Sequence, residues 1–301
     1  MLMGRALREP NEETDVDETE AGTLVLVATP LGNLGDLSLR ALELFRTANV
    51  IYCEDTRHSR VLFSANDIPT GGRLESLHEH NEAAQSAQIV DRVSRGELVV
   101  LISDAGTPGI SDPGSRAVEA VVAAGLQVST APGPSAVIAA LTVSGLPTDR
   151  FVMEGFMPRK AGERAQRYGE WAHEVRTIVF YESPQRVTAT LGELAKVMPE
   201  RRVAVARELT KIHEEVLRGT VAEVAAALGV RDVRGEVVVV LEGAPEAPRV
   251  DDDVISRALE EQWNEGATTR DAVDFVAEAL GVARREVYRL ALDARKGGAT
   301  T

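Results

Sequence analysis

The chain has 301 residues, with 33 Lys plus Arg against 47 Asp plus Glu and a formal net charge of −14. One compact core rarely grows past ~250–300 residues, so the length predicts at least two domains. A content of 44% apolar and 27% charged residues excludes global disorder, and the single cysteine, Cys53, excludes a disulfide framework and a multi-cysteine zinc site. A reducing, cytoplasmic setting fits that cysteine usage. The negative balance argues against non-specific coating of nucleic acid but leaves room for a local basic patch.

From the N-terminus, residues 1–21 hold seven acids and two arginines and lack the apolar stretch of a signal peptide, so they read as a disordered acidic tail. Leu24–Ala28 is a β-branched run stopped by Thr29-Pro30-Leu31-Gly32-Asn33-Leu34-Gly35, and Leu37 to Phe45 follow at helical spacing. Val50–Cys53 runs into Glu54-Asp55-Thr56-Arg57-His58. Leu98–Ile102 runs into Ser103-Asp104-Ala105-Gly106-Thr107-Pro108-Gly109 and Asp112-Pro113-Gly114. Leu126–Thr130 leads to Ala131-Pro132-Gly133-Pro134-Ser135 and a helix over Ser135–Val143. Ala120 to Thr148 carries no charge and is long enough to span a bilayer, but two prolines within three residues break it. A buried strand, a tight loop and a buried helix explain it better.

Strands alternating with amphipathic helices over 22–146 predict a mostly parallel α/β sheet whose ligands sit at the carboxyl ends of its strands. A second α/β unit, 147–243, has strands expected at Phe151–Phe156, Thr177–Tyr181, Val203–Ala206, Glu215–Arg218 and Glu236–Leu241. Its helices are expected at Gly162–Ala172, Pro184–Val197 and Val221–Leu228. Two strands in close succession imply a mixed sheet. Gly243–Pro248 reads as a linker. Residues 249–301 read as three short helices, the middle one capped by Thr268-Thr269 and ended near Gly281.

The three loops at strand ends, Thr29–Gly35, Asp104–Gly114 and Ala131–Ser135, carry the chemistry. Each alone reads as a tight turn; three at the same end of one sheet point to a ligand crevice approached by backbone amides. None matches G-x-x-x-x-G-K-[ST] or G-x-G-x-x-G, so neither a triphosphate P-loop nor a dinucleotide fingerprint is present. Asp104 reads either as an acceptor for a ribose or amino group or as a loop-stabilising aspartate. His58, His78 and His80 suggest a metal only weakly: on an extended strand His78 and His80 share a face, but nothing fixes a third ligand, and no metal is expected. Arg207-Glu208-Leu209-Thr210-Lys211 by itself reads as a solvated charge run.

Taken together and in order, Ala28–Asp36, Glu54–His58, Ser103–Pro108, Asp112–Gly114, Pro132–Ser135, Glu154–Pro158, Phe180–Pro184 and Arg207–Lys211 resemble the ribosomal RNA small subunit methyltransferase I family of the tetrapyrrole methylase superfamily. The resemblance spans about Gly22 to Gly243. It implies two α/β domains with a donor cleft between them and a small helical C-terminal region. It implies S-adenosylmethionine as donor, 2′-O-methylation of a cytidine in the decoding region of 16S rRNA within the 30S subunit, and a homodimer. It places the donor against Pro30, Leu31, Asp104, Ala105, Gly106, Thr107, Ile110, Gly133, Pro134, Ser135 and Ala136, closed by Tyr181 and the Gly235-Glu236-Val237 strand entrance. Met157 stands where the family more often has leucine, a mild change.

A sulfonium methyl is already activated, so alignment supplies much of the barrier reduction, and a base or nearby cation assists loss of the hydroxyl proton. Glu54, Asp55, Arg57, His58, Glu208 and Lys211 are candidates. Arg57 and Lys211 rank first as cations and Glu54 or Glu208 as base, with RNA docking an equal reading for each. Arg159, Lys160, Arg164 and Arg167 follow the second unit's first strand and are expected to meet rRNA phosphates; an ordinary solvated helix face is the plain alternative. Two other functions stay open. One is methylation of a tetrapyrrole-like small molecule. The other is DNA binding through a helix-turn-helix over Thr269–Leu292, with Arg284, Arg285 and Arg289 on its second helix.

Overall fold

The computed structural model describes residues 22–245 and 250–297, the side chains of 295–297 excepted. The acidic segment 1–21, part of the expected linker and the Arg295 and Lys296 side chains lie outside the described residues. The remainder forms two compact units that divide between Ala244 and Pro245.

The first unit holds two five-stranded sheets. In the first, β1 (Thr23–Val27), β2 (Val50–Cys53), β3 (Leu74–Ser76), β4 (Leu98–Leu101) and β5 (Gln127–Ala131) lie in the order β3-β2-β4-β1-β5. Every pairing is parallel. The central strands are buried on both faces, as their unbroken apolar runs require. Phe45, Ile51, Phe63 and Val100 build the core on one face, and Tyr52, Ile89, Leu101 and Val121 on the other.

The helices of this half are α1 (Leu39–Thr47), α2 (Thr56–Ala65), α3 (Glu82–Ser94), α4 (Ser115–Ala123) and α5 (Ala136–Ser144). Ser38 caps α1 by accepting from the Ala41 amide, and Asp55 caps α2 by accepting from the Arg57 amide. The stretch Glu54–His58 is thus the entry to a helix. His78 and His80 are not on an extended strand: residues 79–81 form the turn into α3, held by Asn81, whose side chain accepts from the His78 amide and donates to the Ser76 carbonyl. The uncharged 120–148 stretch divides into the end of α4, β5, a loop and α5. Among the described residues no helix is long and apolar enough to cross a membrane.

The second sheet is mixed. β6 (Phe151–Phe156), β7 (Thr177–Glu182), β8 (Arg202–Arg207), β9 (Glu215–Thr220) and β10 (Val237–Leu241) lie in the order β6-β7-β10-β8-β9. Only β6 and β7 run parallel. α6 (Ala161–Trp171), α7 (Pro184–Val197) and α8 (Val221–Gly229) complete this half. Trp171, Phe180, Leu191 and Leu228 pack on one face of this sheet. Its other face receives α5, whose Val137, Ala140 and Leu141 share a core with Val179, Ala204, Val238 and Val240. The last helix of the first half therefore packs on the second sheet.

The second unit contains α9 (Asp252–Asn264), α10 (Thr269–Leu280) and α11 (Arg284–Gly297) around Ile255, Leu259, Val273, Val276 and Val287. Thr268 caps α10, and Gly281 ends it in a left-handed conformation. Arg284 pairs with Asp274, and Arg289 lies 3.2 Å from Asp252, so two of the three α11 cations expected to read DNA are neutralised within the unit.

Candidate functional site

The three Gly/Pro loops meet at the carboxyl ends of β1, β4 and β5, and hydrogen bonds tie them into one floor. The Thr29 amide donates to the Gly106 carbonyl (2.8 Å), and the Gly106 amide donates back (3.0 Å). Thr29 Oγ1 donates to the Ser103 carbonyl, and Thr107 Oγ1 donates to the Pro134 carbonyl (3.0 Å). Buried Glu82 on α3 accepts from the Gly114 and Arg116 amides, pinning the far end of the 103–114 loop.

Above this floor lies a cleft of about 410 Å³, within the ~300–1,000 Å³ typical of small-molecule sites. The first half contributes Leu31, Asp104, Ala105, Gly106, Thr107, Ile110, Ser135 and Ala136, all expected donor residues, plus Ser111 and Asp112. The opposite wall holds the expected Tyr181 and Glu236, with Phe156, Glu182–Pro184, Gly235, Val237 and Val238. Pro30 lines a neighbouring pocket instead. Gly133 and Pro134 sit behind the lining: Gly133 packs against Ala28, and Pro134 receives the Thr107 bond.

The cleft is anionic. Asp104, Asp112, Glu182 and Glu236 line it, and no Lys, Arg or His does so among the described residues. Burial, with Glu54 and Asp104 nearby, pushes the Asp112 carboxyl up to about 6, against an opposing hydrogen bond from Ser103. Burial and the same Asp112 hold the Tyr181 phenol at about 12, so it stays protonated. Phe156 is 64% exposed at the mouth, its ring 5.1 Å from that of Tyr181, which gives the mouth an aromatic wall. Ser111 and Glu208 take positive φ (63° and 51°), conformations rare outside glycine that cluster at functional sites.

The four expected catalytic residues separate. Lys211 Nζ donates to Glu208 Oε1 (2.9 Å) and Glu236 Oε2 (3.0 Å) at the edge of the cleft. Burial lowers the Lys211 pKa, but those two carboxylates outweigh it and the net shift is upward; the Lys211 bond in turn lowers that of Glu208. Gly32 and Gly235 are required beside them, because a Cβ at either would collide with the Lys211 or Glu208 side chain. Arg57 is 85% exposed and forked on Asp55, whose carboxyl that bond holds down at about 2. Glu54 lines neither this cleft nor the pocket beside it; burial and Asp104 raise its pKa.

The four expected phosphate-binding cations also divide. Arg164 is 16% exposed and bidentate on Glu193, which Tyr168 also reaches; Arg167 pairs with Glu154. Arg159 and Lys160 are exposed, Lys160 on Glu163. The residues that sequence reasoning left without a role are Ser111, Asp112, Phe156, Glu182, Ser183, Pro184 and Val238. Asp112-Pro113-Gly114 and Phe180–Pro184 stood out as motifs, but only tertiary packing turns them toward one cleft. Among the described residues, no group of three His, Cys, Asp or Glu is arranged to hold a metal.

Residues 23–225 match the sequence profile of the Tetrapyrrole (Corrin/Porphyrin) Methylases. The chain is 44% identical over 272 residues to "Ribosomal RNA small subunit methyltransferase I" of Xylella fastidiosa, covering 89% of this chain and 98% of that protein. It is also 44% identical to the protein of the same name from Mycobacterium tuberculosis, over 92% of this chain and 96% of that one. Among solved structures, the methyltransferase CobJ superposes with a TM-score of 0.56 at 21% identity, over 77% of this chain and 98% of that one. Diphthine synthase superposes with a TM-score of 0.55 at 15% identity, over 73% and 90%. At those identities the structural likeness concerns the fold, whereas the sequence matches reach further: the chain belongs to the Tetrapyrrole (Corrin/Porphyrin) Methylases and, within them, to the ribosomal RNA small subunit methyltransferase I family.

Proposed function

We propose that this chain methylates 16S rRNA of the small ribosomal subunit, with S-adenosylmethionine as donor and the 2′-oxygen of a decoding-region cytidine as acceptor. The observation that carries the reading is the lining of the cleft: Glu182 is paired with Arg186 and Glu236 with Lys211, but Asp104 and Asp112 leave it net negative, which favours a positively charged small molecule. The names of the relatives supply the RNA. When bound, the donor supplies a methyl group on a cationic sulfur.

The loop amides and carbonyls of Asp104–Thr107 and Ser135–Ala136 orient it, the tilted Phe156 and Tyr181 rings offer aromatic faces, and Val237 and Val238 exclude water. Glu208 fixes Lys211, which stays an ammonium and favours negative charge developing on an attacking oxygen. Arg57, Arg159 and Lys160 are exposed and suit phosphate docking, while Arg164 and Arg167 serve mainly to hold α6 to the sheet and to α7. The same reading places the protein in the cytoplasm with 30S subunits, as a homodimer and without a metal.

The test is tritiated methyl transfer to purified 30S subunits, with the product mapped by resistance to alkaline cleavage. Label at a single cytidine 2′-oxygen is expected. Label on a base, or on no RNA, defeats the assignment.

A further inference from the structure

A second pocket of about 270 Å³ opens beside the anionic cleft and shares Leu31, Asp104, Ala105 and Glu236 with it. It is smaller than the ~300–1,000 Å³ usual for drug-sized ligands, and suits the base and sugar of one nucleotide. Away from the shared wall it is an apolar slot between the Pro30–Leu34 turn and the Val61–Leu62 face of α2. Toward the shared wall its lining turns polar, with His58 and Lys211 added to the shared carboxylates. An apolar slot ending in an imidazole and an ammonium fits an unstacked nucleotide, base inward and ribose at the junction. The anionic cleft has neither group.

The junction is held in place. Asp104 Oδ1 accepts from the Asp55 amide (3.2 Å), which ties it to the start of α2. Its other oxygen faces His58 Nδ1 at 3.6 Å, leaving the far ring nitrogen free. His58 is 62% exposed, so a ligand can reach it. Other charges around the imidazole are Asp55 and Arg57, paired with each other, and the Lys211–Glu236 pair across the pocket. Lys211 is a protonated cation there, and Glu54 does not line the pocket. His58 is the imidazole that lines the pocket, and with a carboxylate beside its near nitrogen it can take a proton from a ligand at the far one.

We propose that this pocket receives the acceptor nucleoside and that His58, positioned by Asp104, takes the proton from the attacking ribose hydroxyl; the proposal rests on the rRNA reading above. The hydroxyl oxygen bonds to the methyl carbon as the carbon–sulfur bond breaks and its electron pair stays on sulfur. The hydroxyl proton passes to the free nitrogen of His58 and from there to water. Lys211 faces the oxygen as its negative charge develops.

Two variants test this beside the wild type, using the full chain, donor affinity by calorimetry and steady-state methyl transfer to 30S subunits. His58→Ala is expected to lower kcat by roughly 100-fold or more, the range for a lost general base, with donor Kd and 30S KM within about twofold. Added imidazole is expected to restore at least about tenfold of that loss, which a merely structural histidine would not show. Val61→Trp, at a position 67% exposed on α2, fills the slot. It is expected to keep donor Kd and thermal stability while transfer at subsaturating 30S falls about tenfold or more. His58→Ala within threefold of wild type, loss without imidazole rescue, or normal transfer by Val61→Trp would each overturn the proposal. Wild-type protein that binds donor yet leaves 30S ribose unlabelled overturns the rRNA reading itself, and the acceptor pocket with it.

Discussion

Asp112 is the residue whose charge state the cleft alters most among those lining it. Its pKa is about 6 against 3.8 for a free aspartate, because burial and the neighbouring Glu54 and Asp104 disfavour the anion. The folded state therefore holds this proton more tightly than the unfolded chain. That contribution is full below the unfolded value and is lost as pH rises through 6, so the ionised carboxylate costs stability at neutral pH. Asp112→Asn is expected to raise the melting temperature at pH 8, by up to about 3 kcal/mol equivalent, and to change little at pH 4. A difference independent of pH would remove the buried-charge account. A cationic donor should also draw the proton off, so calorimetric heats near pH 6 should depend on the buffer's ionisation enthalpy in the wild type and much less in Asp112→Asn. Asp104 was legible because it ends an apolar run and opens a glycine-rich loop. Asp112 lies in the same loop and stood out only as part of the Asp112-Pro113-Gly114 motif, since its place in the cleft depends on a wall that runs from Phe156 to Val238.

Among the elements, those with a long apolar period or a clear stop were readable. β2 and β6, and the whole of α7 with Pro184 in its first turn, stand where the sequence placed them. β3 was not, because three half-buried residues, Leu-Glu-Ser, are too few to show a period of two. α2 was missed because its polar first turn looks like a strand-end cluster until Asp55 is recognised as its cap. α6 shows the limit of counting charges: four cations in sequence become, once folded, two structural ion pairs and two exposed side chains. Arg164→Ala should lower unfolding stability by about 1–3 kcal/mol in urea, since it removes the guanidinium from Glu193 and leaves that carboxylate the Tyr168 hydroxyl. Arg159→Ala with Lys160→Ala should change stability by less than about 0.5 kcal/mol. The pair should also flatten the log–log salt dependence of 30S binding by roughly one unit for each phosphate no longer neutralised. An unchanged slope would take this edge of α6 off the RNA path.

At the scale of the molecule, the two-sheet α/β plan followed from strand–helix alternation, and the third, helical region from its caps. Periodicity could not show that α5 packs on the second sheet, because an evenly apolar helix has no face that names its partner. Every residue lining the cleft lies between Leu31 and Val238, and the helical unit has its own core. Residues 1–244 alone are therefore expected to bind the donor with the affinity of the full chain. Loss of binding in a folded truncation would assign part of the site to the C-terminal helices.

The shared core beneath α5 has a thermodynamic consequence. Val137, Ala140 and Leu141 follow β5 directly in the chain and, with Leu31 of the first half, form part of the second sheet's interior, so the second sheet cannot keep its packing when the end of the first half melts. A ligand held between the sheets then stabilises both together, and its binding energy is read out in one cooperative transition. At a concentration one hundred times its Kd, the donor should add about 2.7 kcal/mol to the unfolding of the entire first unit. In a melting experiment the probes Trp171 and Tyr52, one in each half, would shift upward by the same interval.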